Sequence, residues 1–205
     1  MPTASKPAGG NYVGIDQSLT HFAAAAIRGP EDDSENMLVI KPKSKGARRL
    51  YDIRDELTEW LSTIYAEEGI DHIVMEGYAF SRQMGHALGE CGGMIKLALL
   101  DTFGYENELG YPTIVTPQQL KMFCGLAGNA QKNLVLKAVF QKWGKDFADD
   151  NEADAYALAK IACSLSTGAR FEYEKKVLAK IKVHAEWEPL KLSPSRPAAR
   201  RTSSG

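Results

Sequence analysis

Hydrophobic and polar positions change period several times along the chain, and each change marks an element. Tyr12-Val13-Gly14-Ile15-Asp16, an apolar run ending on an acid, lies in residues 11–16, which read as a strand. After a tight turn, Leu19 to Ile27 continues in small and apolar residues as a second strand. Gly29 to Glu35 is a polar turn, and Met37-Leu38-Val39-Ile40 is a short third strand. Connections this short favour an antiparallel meander. Over residues 47–68 the spacing becomes helical: Leu50, Ile53, Leu57, Trp60, Leu61 and Ile64 share a face, and Gly69 stops the helix. Ile70 to Glu76 reads as a central strand, with Ile73-Val74-Met75 running into Glu76. Residues 83–103 are helical again, with Met94, Leu97 and Ala98 on one face. The glycines there, Gly85, Gly89, Gly92 and Gly93, each cost ~1 kcal/mol relative to Ala in a helix. They permit close approach of another backbone, from this chain or from DNA. Tyr111 to Thr116 is a further strand. Thr116-Pro117-Gln118-Gln119 is a helix start, with Thr as N-cap, Pro first and Gln at the capping-box position. Ala130 to Trp143 and Asp150 to Leu165 are helices, the second ended by Gly168.

The chain has 205 residues, of which 44% are hydrophobic, enough for one domain with a sizeable core. No apolar stretch reaches the ~20 residues of a membrane span, so no membrane partner is expected. The pattern divides the chain into a flexible leader (1–10), a folded domain (11–187) and a disordered basic tail (188–205) rich in Ser, Pro and Arg. Cys91, Cys124 and Cys163 are odd in number and widely spaced, against a disulfide framework or a zinc site. They read as reduced core thiols of a cytosol-like compartment. The net charge is -1, but residues 1–167 carry -6 and residues 168–205 carry +5. Any grip on nucleic acid must therefore come from local patches: Lys41, Lys43 and Lys45 with Arg48 and Arg49, the run Lys175 to Lys182, and the tail.

Candidate chemistry lies in three acids. Asp16 and Glu76 end strands, and Asp154 sits on a helical stretch, Asn151 to Ala159. Carboxylates at the ends of buried strands need something positive to neutralise them. A divalent metal is the leading candidate, and it points to phosphodiester chemistry. Asn151 and Asp154 share a helix face at i, i+3, and Asp150 at i-4 reaches the same face, whereas Glu152 points elsewhere as a surface residue. The opening Gly14-Ile15-Asp16-Gln17-Ser18 also fits an actin-like ATPase, but no glycine follows Asp16 to let the backbone hug phosphate. The order of elements, three antiparallel strands, helix, strand, helix, strand and helices, resembles the ribonuclease H-like fold. That fold is α/β, a five-stranded mixed sheet flanked by helices. It implies that Asp16 and Glu76 are neighbours, with Asp154 brought to them by a late helix.

From about Tyr12 to Leu165 the chain resembles the RuvC family of Holliday junction resolvases, and within it the phage-encoded branch. The marks are Gly14-Ile15-Asp16, Val74-Met75-Glu76 with aromatics after it, and Gly89-Glu90-Cys91-Gly92-Gly93 in a small-residue helix. Thr116 to Lys121, Gly128 to Lys132 and Glu152-Ala153-Asp154-Ala155 complete the set. The resemblance implies a catalytic and metal site of Asp16, Glu76 and Asp154, with Asn151 where the family commonly has Asp or His. Asn binds Mg²⁺ through a neutral oxygen, so the second metal is held more weakly or Asp150 helps. It implies Lys121 as a DNA contact and Lys132 close to the scissile phosphate, where an ammonium offsets transition-state charge. Tyr78 and Phe80 flank the place of a base-stacking aromatic, which Ala79 occupies in an ungapped match. Arg82 and His86 follow as possible phosphate contacts.

The implied activity is a structure-selective endodeoxyribonuclease using Mg²⁺ or Mn²⁺, two ions per site. It resolves four-way junctions and other branched DNA and leaves a 5′-phosphate and a 3′-hydroxyl. The family works as a homodimer, and the helix at 83–103 is the expected interface. A cytoplasmic setting follows, that of the host cell for a phage protein. Rival readings are another ribonuclease H-like nuclease cutting flaps or RNA–DNA hybrids, a non-cleaving junction-binding module, and a nucleotide-binding domain.

Overall fold

The computed structural model describes residues 10–31, 35–77 and 85–186. One sheet organises it, made of β1 (Asn11–Asp16), β2 (Phe22–Ile27), β3 (Glu35–Ile40), β4 (Ile70–Glu76) and β5 (Thr113–Val115). The strand order is β3-β2-β1-β4-β5. β1, β2 and β3 form the expected antiparallel meander, while β4 runs parallel to β1 and β5 parallel to β4. Helices α1 (Gly46–Glu67) and α2 (Gly85–Phe103) cover one face. The other face carries α3 (Pro117–Phe123), α4 (Asn133–Trp143), α5 (Asp150–Thr167) and α6 (Glu172–Leu178).

Strand alternation decides which face each side chain reaches. Tyr12, Ala23, Ala25, Ile27 and Val74 join the core around α5. Val13, Ile15, Phe22, Ala24, Ile73 and Met75 join the core under α1 and α2. By the same parity Gly14, Asp16 and Glu76 belong to the α5 side. α5 itself is buried all round from Ala153 to Cys163. Its alanines meet Gly14 closely: a Cβ on Gly14 would stand 2.2 Å from both the Ala155 oxygen and the Ala159 nitrogen. Those neighbours are backbone atoms, which cannot step aside unless the helix moves.

Several boundaries depart from the sequence pattern for local reasons. β2 starts at Phe22, because the Ser18 hydroxyl accepts from the His21 N–H (3.2 Å) and holds the preceding residues in a turn. β5 has only three residues and starts after Pro112, which has no N–H for the ladder. α4 begins at Asn133, after a turn in which the Ala130 N–H bonds the Ala127 oxygen (2.9 Å). In α2 the buried side is Cys91, Met94, Ile95, Ala98 and Leu99, and Leu97 is 57% exposed. Leu97 lies ~100° around the helix from Ala98, so the two do not share a face. No described atom lies within 4 Å of a Cβ built on Gly89 or Gly93. The capping box at Thr116 forms as the sequence predicts, with the Gln119 N–H donating to Thr116 Oγ1 (3.2 Å). The three cysteines are free and buried. Among the described residues, no helix is long and apolar enough to cross a membrane.

Gly14→Ala is expected to lower the unfolding free energy by about 3 kcal/mol or more, since backbone on α5 must shift to admit one methyl group. Urea unfolding of the two proteins measures it; a loss under about 0.5 kcal/mol would mean that the α5–β1 spacing is not fixed at this point.

Candidate metal centre

Three elements deliver the acids. β1 ends at Asp16, the parallel strand β4 ends beside it at Glu76, and α5 presents Asp154 from its second turn. One carboxylate oxygen from each lies within 4.8 Å of the other two. Asp16 and Asp154 are each only 2% exposed. Asp16 Oδ2 and Asp154 Oδ1 are buried without a hydrogen-bond partner. Unmade hydrogen bonds on buried charged groups are costly.

The electrostatics express that cost. Burial first, and the Glu76 charge second, hold Asp16 well above the usual carboxylate range. Burial and then the Asp16 charge push Asp154 up to about 8, against the pull of Lys132. Burial also raises Glu76, while a hydrogen bond with Asp16 and the charges of Lys132 and Lys121 oppose it. For Lys132, burial works against the charge, but Asp16, Asp154 and Asp150 outweigh it and raise its ammonium. Left to itself the cluster keeps protons that the same acids would lose in water. Orphaned oxygens, close carboxylates and an all-oxygen donor set fit a hard divalent cation.

Lys132 sits immediately before α4, which aims its side chain at the start of α5. Its Nζ donates to Asn151 Oδ1 (2.8 Å) and stands 3.3 Å from Asp150 Oδ2 and 3.7 Å from Asp154 Oδ2. Asn151 and Asp150 therefore do reach the acid cluster, through Lys132. Lys121, on α3, donates to the Ala130 oxygen (2.7 Å), tying α3 to the turn that carries Lys132. Tyr78, Phe80 and Arg82 lie outside the described residues.

Gln17 and His21 supply contacts near the site that the sequence pattern does not signal. Gln17, buried beside Asp16, donates from Nε2 to the Glu76 oxygen (3.0 Å) and so locks the ends of β1 and β4 together. Asp149 caps α5, accepting at Oδ1 from the N–H groups of Asn151 (3.0 Å) and Glu152 (3.2 Å). Its other oxygen pairs with His21 Nδ1. Glu152, expected on the surface, has a side chain only 14% exposed, with Oε1 3.8 Å from His21 Nε2. His21, just before β2, thus grips the same helix turn that carries Asn151. An acid before a helix is legible as a cap; a histidine more than a hundred residues away as its partner is not.

Comparison with solved structures finds the same architecture. A Thermus thermophilus RuvC structure superposes with a TM-score of 0.56 at 19% identity, covering 76% of this chain and 95% of that one. The chain has the RuvC fold. T. thermophilus RuvC in complex with Holliday junction substrate superposes at TM-score 0.57 and 18% identity, covering 78% of this chain and 96% of that one. No protein-family model and no curated protein matches the chain. The RuvC fold explains why carboxylates on β1, β4 and α5 converge: the sheet ends and the helix start meet at one edge.

The pH dependence has a definite sign. A carboxyl raised in the folded state contributes stability that is complete below its unfolded pKa and is lost as pH rises through the folded value. In EDTA, stability is therefore expected to fall as pH rises from the ordinary carboxylate range to about 8, by about 1.4 kcal/mol per pH unit for each proton retained, and most cleanly above pH 6.5. His72 acts oppositely and lower: burial pushes it down to about 4, so its contribution is lost as pH falls below 6.5. Mg²⁺ or Mn²⁺ should raise the melting temperature most at pH 8.5, and Asp154→Asn should flatten the EDTA profile. A flat profile for the parent chain in EDTA would contradict the burden of proximal charge assigned to these acids.

Proposed function

We propose that this protein is a divalent-metal-dependent, structure-selective endodeoxyribonuclease that resolves four-way DNA junctions and other branched DNA. The observation that carries the reading is the clustered Asp16–Glu76–Asp154 group, its two aspartates buried with orphaned oxygens and a lysine alongside. The RuvC fold supports it, and the T. thermophilus protein of that fold has been seen with a Holliday junction substrate. Residues 11–187 form the nuclease domain in this reading, working in the cytoplasm, of the host cell if the chain is phage-encoded.

Asp16, Glu76 and Asp154 would hold the metal, Mg²⁺ or Mn²⁺ and two ions per site, with Asn151 as a further oxygen ligand. Bound there, the ions supply an activated water nucleophile and neutralise charge on the phosphate and on the leaving 3′ oxygen. The chain's own residues set the geometry. Gln17 fixes the spacing of Asp16 and Glu76. Lys132 moves its ammonium from Asn151 to the scissile phosphate, freeing the Asn151 oxygen and offsetting charge that develops in the transition state. Lys121 steadies the turn that carries Lys132 and contacts the DNA backbone. Tyr78 or Phe80 stacks on an exposed base, and Arg82 contacts phosphate.

Two sites are needed to cut two symmetric strands, and a C₂ homodimer provides them. Gly89, Gly93 and Leu97 lie at i, i+4 and i+8 on α2, beside space that no described residue fills. That surface is the proposed dimer contact.

With Mg²⁺ or Mn²⁺ present, the parent chain should cut a four-way junction faster than a Y-fork, a flap or an RNA–DNA hybrid. Asp16→Asn and Glu76→Gln should abolish cutting, and Lys132→Ala should lower kcat by about 10²-fold or more. Equal cutting by Asp16→Asn would remove the site. Preference for the hybrid would move the protein to another nuclease class, and junction binding without cleavage in either metal would make it a binding module.

A further inference from the structure

We infer that the loop between β3 and α1 is a second DNA-binding surface, gripping the phosphate backbone of the duplex arm beside the cut. This inference rests on the nuclease reading and adds a substrate contact to it. β3 ends at Ile40, which pairs with Phe22, and the neighbouring Ala23 pairs with Asp16. The loop therefore leaves the sheet at the same end as Asp16, two strands across, roughly 10 Å away. Lys121 and Lys132 stand on the α3–α4 side of the acids, so cations bracket the cluster.

The loop is built to present charge. Residues 41–45 have no helical or strand assignment, and Lys41, Lys43 and Lys45 are exposed while Pro42 and Ser44 are half-buried. That alternation turns three ammonium groups outward, roughly 7 Å apart. Among the described residues, none of the three makes an ion pair. The loop's shape is fixed by other groups. Arg49 Nε donates to the Ser44 oxygen (2.9 Å), the Ser44 hydroxyl donates to Asp52 (2.5 Å), and Arg48 pairs with Asp52 (2.8 Å). The first turn of α1 has no acidic residue and contains both arginines, the reverse of what the helix dipole favours. Such a local violation is expected where a function requires the charge. Its setting sharpens the point, since residues 1–167 as a whole carry -6. Of the acids that share a hollow with Lys41 and Lys43, Asp52 is taken up by Ser44 and Arg48, and among the described residues Asp55 and Glu56 form no ion pair with the loop lysines.

Polyanionic backbone is the occupant this row fits: evenly spaced point charges without a bidentate or apolar pocket read phosphate rather than sequence. The test compares the full-length parent with K41A/K43A/K45A and with a charge-matched control, R28A/K137A/R170A, at three exposed cations outside the basic patches. Binding to a four-way junction is measured in EDTA across a salt series, and cleavage is measured at saturating DNA with Mg²⁺. The loop variant should bind roughly tenfold or more weakly, and its log K against log salt slope should be shallower by about 2 to 3. Its kcat at saturation and its melting temperature should equal the parent's. If the parent binds and cuts while the loop variant matches it in affinity and salt slope, the loop inference is overturned and the nuclease reading stands. Equal weakening in both triple variants would also overturn it, as an effect of net charge alone. If the parent neither binds nor cuts, both readings fall together.

Discussion

The close contact between α5 and β1 is the constraint on which the rest of the structure depends. A helix normally rides above a sheet on the bulk of both sets of side chains. Here Gly14 and the alanines of α5 remove that bulk, and the helix backbone comes down to within a methyl group's distance of the strand. Only at that distance can a helix acid share a site with two strand acids. The same closeness buries Asp16 and Asp154, and that burial is the main reason their carboxyls are held above the usual range. Packing and electrostatics are therefore one device, with the small residues setting the dielectric surroundings of the large charges.

That device works against the stability of the metal-free chain. Three acids are pressed together beside the Lys132 ammonium, and two of their oxygens have no partner. A protein optimised for stability alone would not keep this arrangement. The compensation comes from structure that holds the acids in place without neutralising them. Gln17 ties the strand ends, Asp149 and His21 tie the helix start, and Lys121 ties the turn bearing Lys132. Each of these ties lies one residue or one turn away from a group it positions.

The sequence made the strands, their parity and the three acids readable because these are local facts. An apolar run ending on an acid states both the strand and the position of the carboxylate. The Thr116 capping box was readable for the same reason. Lys132 was legible as a candidate, but its aim was not. α4 begins three residues later than its periodicity suggests, and that offset places the lysine at the helix start rather than on an outer face. Glu152 was misplaced because helical geometry relates it only to its own helix, whereas its neighbour His21 comes from the β1–β2 turn. Leu97 groups with Met94 and Ala98 by hydrophobicity, which does not distinguish a buried side chain from an exposed one. These misses have a common cause: contacts between elements distant in sequence leave no periodic trace.

Strand parity has a further consequence for how this chain can vary. Asp16 and Glu76 reach α5 only because an even number of steps separates each from the other residues of its strand on that side. Inserting or deleting one residue within β1 would turn Asp16 into the apolar layer under α1 and α2, and would bring Ile15 or a neighbour to the acid cluster. Substitutions can accumulate along these strands, but changes of length cannot. Drift in length is confined to the turns, such as the one between β2 and β3, where a shifted frame disturbs no shared face.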